Sequence, residues 1–157
     1  MRWSLARLLV TTACVLSATL ALTLQPAAAL IAGPWDLGGS GTNRICLTGE
    51  LYKQGGVVTS YASVFQVSSG GCNGTGVYGW NGARANLLRW SGSAWVACQS
   101  APTEAAIIYS SVTIAQARAV ICSSSGTFAA VSQGRGYASG LYVDWNPIPA
   151  YQPQGVF

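Results

Sequence analysis

From residue 44 onward, apolar and polar side chains alternate with a period of two over several stretches, the spacing of a strand buried on one side. In Arg44 to Tyr52, Ile45, Leu47 and Leu51 fall on one side and Cys46, Thr48, Glu50 and Tyr52 on the other. Gln54-Gly55-Gly56 supplies a turn, and Val57 to Val67, rich in Val, Tyr, Thr and Phe, returns as the second arm of a hairpin. Ser68 to Gly71 breaks the pattern ahead of Cys72, and Asn73-Gly74 continues the turn. Val77 to Trp80 then predicts a short strand, Asn81-Gly82 a tight hairpin turn, and Ala83 to Trp90 the return strand. Ser91-Gly92-Ser93 leads into a further strand over Ala94 to Gln99.

Residues 104–122 carry two patterns at once. The alanines suit a helix capped by Thr103, with Ile108, Val112, Ala115 and Ala119 near one face. Ile107, Ile108, Tyr109, Val112, Thr113 and Ile114 are β-formers, however, and the alternation persists to Cys122, so two strands are the better reading. Phe128 to Ser132 and Tyr137 to Trp145 complete the pattern as a strand pair joined by Gly134-Arg135-Gly136. Strands this short, with Gly/Ser turns every 8–12 residues or so, predict an all-β domain: a single disulfide-bonded antiparallel β-sandwich or small barrel of about eight strands. That domain spans 43–146. It is preceded by an extended arm over 30–42 and followed by a Pro-rich tail over 147–157, in which Pro147, Pro149 and Pro153 end regular structure.

The first 29 residues follow a different rule. Arg2 and Arg7 give a basic start, Leu8 to Leu24 is mostly apolar and uncharged, and Ala27-Ala28-Ala29 is the small-residue ending a signal peptidase accepts. Residues 1–29 therefore read as a signal peptide, and the expected location is extracellular. Thr11, Thr12, Ser17 and Thr19 interrupt the apolar run, which favours cleavage over a membrane span. No later apolar run approaches spanning length, so no stable membrane insertion is expected. Cleavage would leave 128 of the 157 residues, enough for one domain.

Cleavage would also remove Cys14 and leave Cys46, Cys72, Cys98 and Cys122. An even count in an exported chain reads as a disulfide framework. Pairing neighbours, Cys46–Cys72 and Cys98–Cys122, closes loops of about 25 residues, each stabilising by about 3 kcal/mol in the chain-entropy model. Four cysteines permit three pairings. The near-even spacing also divides the chain into two loosely similar halves, each with a strand-borne cysteine followed by one near a Gly/Ser turn.

Charge and composition narrow the function classes. Loss of Arg2 and Arg7 takes the formal charge from +4 to +2, scattered along the chain, which is no footprint for nucleic acid. The preference for arginine over a single lysine, Lys53, points to a GC-rich bacterial genome. With no histidine anywhere, Ser-His and Cys-His catalysis are excluded and a zinc site would need four distant thiolates. No phosphate-binding loop or Asp-rich calcium loop occurs, so neither a cofactor nor a metal is expected. Asp36, Glu50, Glu104 and Asp144 are the acids outside the signal segment; a glycosidase would need two of Glu50, Glu104 and Asp144 in one cleft. The expectation is a non-enzymatic protein with no catalytic residue.

Binding chemistry is better supplied. Trp80, Trp90 and Trp95 fall in one meander alongside Tyr78, Arg84, Asn86 and Arg89, and aromatic faces on a sheet can stack on sugar rings or anchor a protein. Trp35, with Leu30, Ile31 and Leu37 in the arm, is a further anchor that either docks on its own domain or adds a strand to a partner. The candidate binding residues are thus Trp35, Trp80, Arg84, Trp90 and Trp95. The expected function is a secreted binding module acting on an extracellular protein partner, with a glycan as the alternative ligand. A protease-inhibitor or antibacterial toxin component is a third reading, with the segment Gln99 to Pro102 after Cys98 as its presented loop. Asn73-Gly74-Thr75 matches a glycosylation sequon, but the turn alone accounts for it.

Overall fold

A computed structural model of the chain describes residues 28–40, 43–68, 70–119, 122–123, 125–138, 140–147 and 152–157. Among these, eleven β-strands and one 3-10 turn form the regular structure, with no α-helix. The expected signal segment lies outside the described residues up to position 27. The first sheet runs β1 (Ala28–Ser40), β2 (Asn43–Gln54), β3 (Val57–Val67), and the far side of β3 pairs with both β4 (Gly76–Val77) and β8 (Val112–Arg118). The second sheet centres on β5 (Gly79–Trp90) and β9 (Thr127–Ala138). Beside β5 lie β6 (Trp95–Ala97) and β7 (Thr103–Ser110); beside β9 lie β10 (Leu141–Pro147) and β11 (Gln154–Val156). Every pairing is antiparallel.

One side of each sheet is apolar, and the two apolar sides share one core. Ile45, Leu47, Leu51, Val58, Ala62, Val64, Ala115 and Ala117 come from the first sheet; Ala83, Ala85, Leu87, Phe128 and Ala130 come from the second. The period-two pattern in β2 and β3 therefore has its expected cause: odd positions of β2 and even positions of β3 face the core, and every such position from 45 to 51 and from 58 to 66 is buried. The strand reading of the 104–122 segment holds for Thr103–Ser110 and Val112–Arg118, where alanine at 115 and 117 faces the core while Ile114 is exposed, the alternation of β8; residues 120–121 lie outside the described residues.

Two expected turns lie inside strands. Asn81-Gly82 does not reverse the chain; both residues belong to the twelve-residue β5. Asn81 is fully buried and its side chain is consumed internally: Nδ2 donates to the carbonyls of Ser110 (3.0 Å) and Gly79 (3.3 Å), and Oδ1 accepts from Gln66 Nε2 (3.1 Å). A buried amide bonded on both ends stabilises extended backbone here more than turn propensity favours reversal. Gly134-Arg135-Gly136 is likewise inside β9, and the β9–β10 reversal lies between Ala138 and Leu141. These glycines allow close approach of neighbouring groups. A Cβ on Gly134 would meet Leu37 Cδ1 at 2.6 Å and Val64 Cγ2 at 2.9 Å, and one on Gly136 would meet the Trp80 carbonyl at 2.6 Å.

The same amide network makes the corner where the chain passes between sheets. β4 ends at Val77 and β5 begins at Gly79; β7 ends at Ser110 and β8 begins at Val112. Both crossings thus take one residue each, and Gly79 pairs with Ser110 at the second sheet's margin. Gln66, on β3 and buried, spans the corner: Nε2 also donates to the carbonyls of Tyr137 (2.9 Å) and Trp80 (3.3 Å). Thr113 Oγ1 completes it by donating to the Asn81 carbonyl at 3.3 Å. A Cβ on Gly79 would overlap the Gln66 amide, so glycine there makes the room.

The arm and the end of the tail join the domain. The arm is β1, paired with β2 from Ala28 opposite Lys53 to Ser40 opposite Asn43, with bulges at Gly33-Pro34 and at Leu37. Trp35 and Leu37 pack on the core, so the arm belongs to this domain and is not a free strand donor. Bulges and Pro34 protect the exposed edge of β1 from further pairing. The end of the tail docks as well: β11 pairs with β9, Phe157 and Gly126 exchange backbone hydrogen bonds at 2.9 Å, and the Phe157 ring packs 6.3 Å from that of Phe128. Pro147 closes β10 rather than starting an irregular tail. Residues 148–151 lie outside the described residues.

Two disulfides staple the fold. Cys46 on β2 holds Cys72 in the 3-10 turn Gly71–Asn73, and Cys98 after β6 holds Cys122 ahead of β9. Both join sequence neighbours, at separations of 26 and 24. Such bonds fit an oxidising compartment. Among the described residues no helix is long and apolar enough to cross a membrane.

Two measurements check this architecture. Gln66→Met keeps the volume but removes the donor at the corner, and should lower unfolding free energy in urea by about 2–3 kcal/mol; a loss under about 0.5 kcal/mol would show the network to be incidental. Removing residues 30–40 should lower the melting temperature by more than about 10 °C. An unchanged melting temperature would mean that β1 is not part of the fold.

Candidate functional site

Alternate residues of β5 leave the core and form the outer face of the second sheet: Trp80, Arg84 and Trp90 all point there, with Gly82, Asn86 and Leu88 between them. The register aligns partners from other strands. Trp80 stands directly opposite Tyr109 on β7 and Tyr137 on β9, and Tyr137 stands opposite Tyr142 on β10. One aromatic residue from each of four neighbouring strands therefore forms a row, Tyr109, Trp80, Tyr137, Tyr142, across the strands. Each is between 47% and 60% exposed. Trp80 and Tyr109 rings lie 5.4 Å apart at 59°, and Tyr78 stacks on Tyr109 at 6.0 Å beyond the end of the row.

Next along the same face is a charged cluster. Glu104 on β7 accepts from Arg84 Nη2 at 2.7 Å on one oxygen and from Arg135 Nη2 at 3.1 Å on the other. Both guanidinium carbons sit over the Trp145 ring of β10, 4.0 Å and 4.3 Å from its centroid. Arginine stacks well on an indole because the ring face is electron-rich and the planar cation is weakly hydrated. Gly82 leaves room for this: a Cβ there would lie 3.0 Å from Arg135 Cγ. At the far end of the sheet Trp90 and Trp95, paired across the β5–β6 hairpin, pack edge to face at 5.4 Å.

Of the residues singled out from the sequence, Trp80, Arg84, Trp90 and Trp95 thus share one outer face. Trp35 does not join them; it is half-buried opposite Leu47 on the first sheet. The irregular polarity of 84–90 also finds its reason. Leu88 is covered beside Ala97 and Ala129, while Arg89 faces inward only at the sheet's end, where Nε donates to the Ser125 carbonyl at 3.3 Å.

The acids are dispersed. Glu50 lies on the other sheet beside Tyr61, both oxygens of Glu104 are engaged by arginine, and Asp144 Oδ1 accepts from the Trp145 amide at 2.8 Å. Among the described residues no group of three or more His, Cys, Asp or Glu side chains could hold a metal ion. The loop after Cys98 is pinned by Gln99, whose Nε2 donates to the Ala101 carbonyl (2.7 Å) and Thr103 Oγ1 (3.0 Å). A shallow depression on the first sheet, lined by Tyr52, Thr59, Tyr61, Gln116 and Arg118 among others, holds about 220 Å³.

Sequence reading missed Tyr109, Tyr137, Tyr142, Glu104 and Trp145 as members of one site. They come from three strands far from β5 in the chain, and only the cross-strand register brings them together.

Glu104→Ala should lower stability by about 1 kcal/mol at low salt, and the loss should shrink as salt is raised, because the cluster is partly exposed and screened. A salt-independent loss would assign Glu104 a packing role instead. Compared with protein-family models, with curated proteins and with solved structures, the chain matches none.

Proposed function

We propose that this chain is a secreted β-sandwich module that binds a partner outside the cell without catalysing a reaction, and that it does so on the outer face of the second sheet. The observation that carries this reading is the row of four half-exposed aromatic side chains in direct register across four strands. Large aromatic residues are costly to leave in water, and contiguous exposure of this kind marks interaction surfaces. The dispersed acids and the engaged Glu104 favour binding over hydrolysis.

Immobilised mature protein, challenged with culture fluid of the producing organism, should retain protein or polysaccharide that the double variant Trp80→Ala/Tyr137→Ala, with unchanged melting temperature, does not. Equal retention by both proteins would remove the outer face as the site. Turnover of a glycan substrate that disappears in Glu50→Gln or Asp144→Asn would overturn the non-catalytic reading.

A further inference from the structure

We infer that the ligand of the outer face is a neutral, extended polysaccharide of β-linked pyranose rings, lying across the strands along Tyr109, Trp80, Tyr137 and Tyr142. This rests on the binding-module reading above and adds the ligand's chemistry and direction.

The row is linear, and that shape selects a linear ligand. Neighbouring strands are about 4.8 Å apart, close to the length of one pyranose residue in an extended β-linked chain. Four rings in direct register therefore repeat at nearly the sugar repeat, over roughly 14 Å from first to last. Equatorially linked pyranoses present flat faces of axial C–H groups, which pack on aromatic rings, while their hydroxyls remain at the rim. Three of the four rings are tyrosines, whose phenol groups supply donors and acceptors beside the stacking surface.

Charge points the same way. The row contains no ionisable cation or carboxylate, and the nearest arginines along the sheet, Arg84 and Arg135, are both engaged by Glu104, which leaves that cluster with a net charge of only about +1. A charged polymer laid on the row would lose hydration with no counter-charge in the row itself to replace it, whereas a neutral chain loses little. The tilt of the rings refines the choice further. Trp80 and Tyr109 are inclined by 59°, so the row is not a flat plane at that end. It fits a single chain that twists along its length, and it cannot lie flush on a crystalline polymer surface.

The test titrates the folded mature protein with cello-oligosaccharides and chito-oligosaccharides of two to six residues, read by tryptophan fluorescence and calorimetry, alongside sedimentation with amorphous and crystalline cellulose. Affinity for one or both series should rise with length up to four residues and then level off, with amorphous cellulose bound more than crystalline. The two series distinguish glucose from N-acetylglucosamine as the unit. Tyr109→Ala and Tyr142→Ala, at the ends of the row, should each weaken binding about three- to tenfold, and Trp80→Ala more; Trp90→Ala, on the same face but outside the row, should leave it unchanged.

Absence of binding in both series, affinity independent of length, or equal loss in Trp90→Ala would overturn the inference. If a protein from the culture fluid, or a second copy of this chain, is instead held by the wild type and released by Trp80→Ala/Tyr137→Ala, the binding-module reading survives and the polysaccharide is wrong.

Discussion

The buried amide of Gln66 is the contact on which the rest of this structure depends. From β3 in the first sheet it donates to Asn81 on β5 and to the carbonyls of Trp80 and Tyr137, and so ties β3 to two strands of the second sheet. Apolar packing alone specifies register weakly where β5 faces β8, because the core side chains at 83 and 85 on β5 and at 115 and 117 on β8 are all alanine. Small identical residues specify register poorly. A buried polar group that must find partners at stated positions specifies it well, since every slipped arrangement leaves an amide or a carbonyl unsatisfied in a medium without water.

What that register determines is on the opposite side of the sheet. Because Gln66 reaches the carbonyls of Trp80 and Tyr137 from inside, the side chains of those residues stand next to one another outside. The aromatic row is thus the outer consequence of an inner hydrogen-bond network. A shift of β9 by one residue would turn Tyr137 toward the core and bring Gly136 to the surface, and the row would be lost. The Arg84–Glu104–Arg135 cluster over Trp145 adds a second lateral tie among β5, β7, β9 and β10 on the exposed side, where a charge network can hold side chains in place without being buried.

The parts of this architecture that were legible in the sequence are those encoded locally. The 44–67 hairpin announced itself through alternation and a Gly-Gly turn, and 103–118 resolved as two strands because β-branched residues outweighed the alanines. Glycine was the misleading signal. At 82, 134 and 136 it stands for close approach of neighbouring groups and not for a turn, and only the neighbours, Arg135, Leu37, Val64 and the Trp80 carbonyl, reveal this. Asn81 misled for a related reason, its side chain being used by Ser110, Gly79 and Gln66, which lie far away or out of pattern in the chain. The site was half visible: Trp80, Arg84 and Trp90 could be named from one strand, whereas the tyrosines that complete the row are set by pairings of residues 29, 57 and 62 positions away from Trp80 along the chain.

The most direct test of this account is the set of cross-strand nuclear Overhauser contacts of Trp80 in the protein in solution. Continuous β5 with the register described here predicts backbone contacts from Trp80 to both Tyr109 and Tyr137 and none of turn type to Ala83. Strong short-range contacts between Trp80 and Ala83, the pattern of a reversal at Asn81-Gly82, with the two tyrosine contacts missing, would contradict both the corner and the row that depends on it.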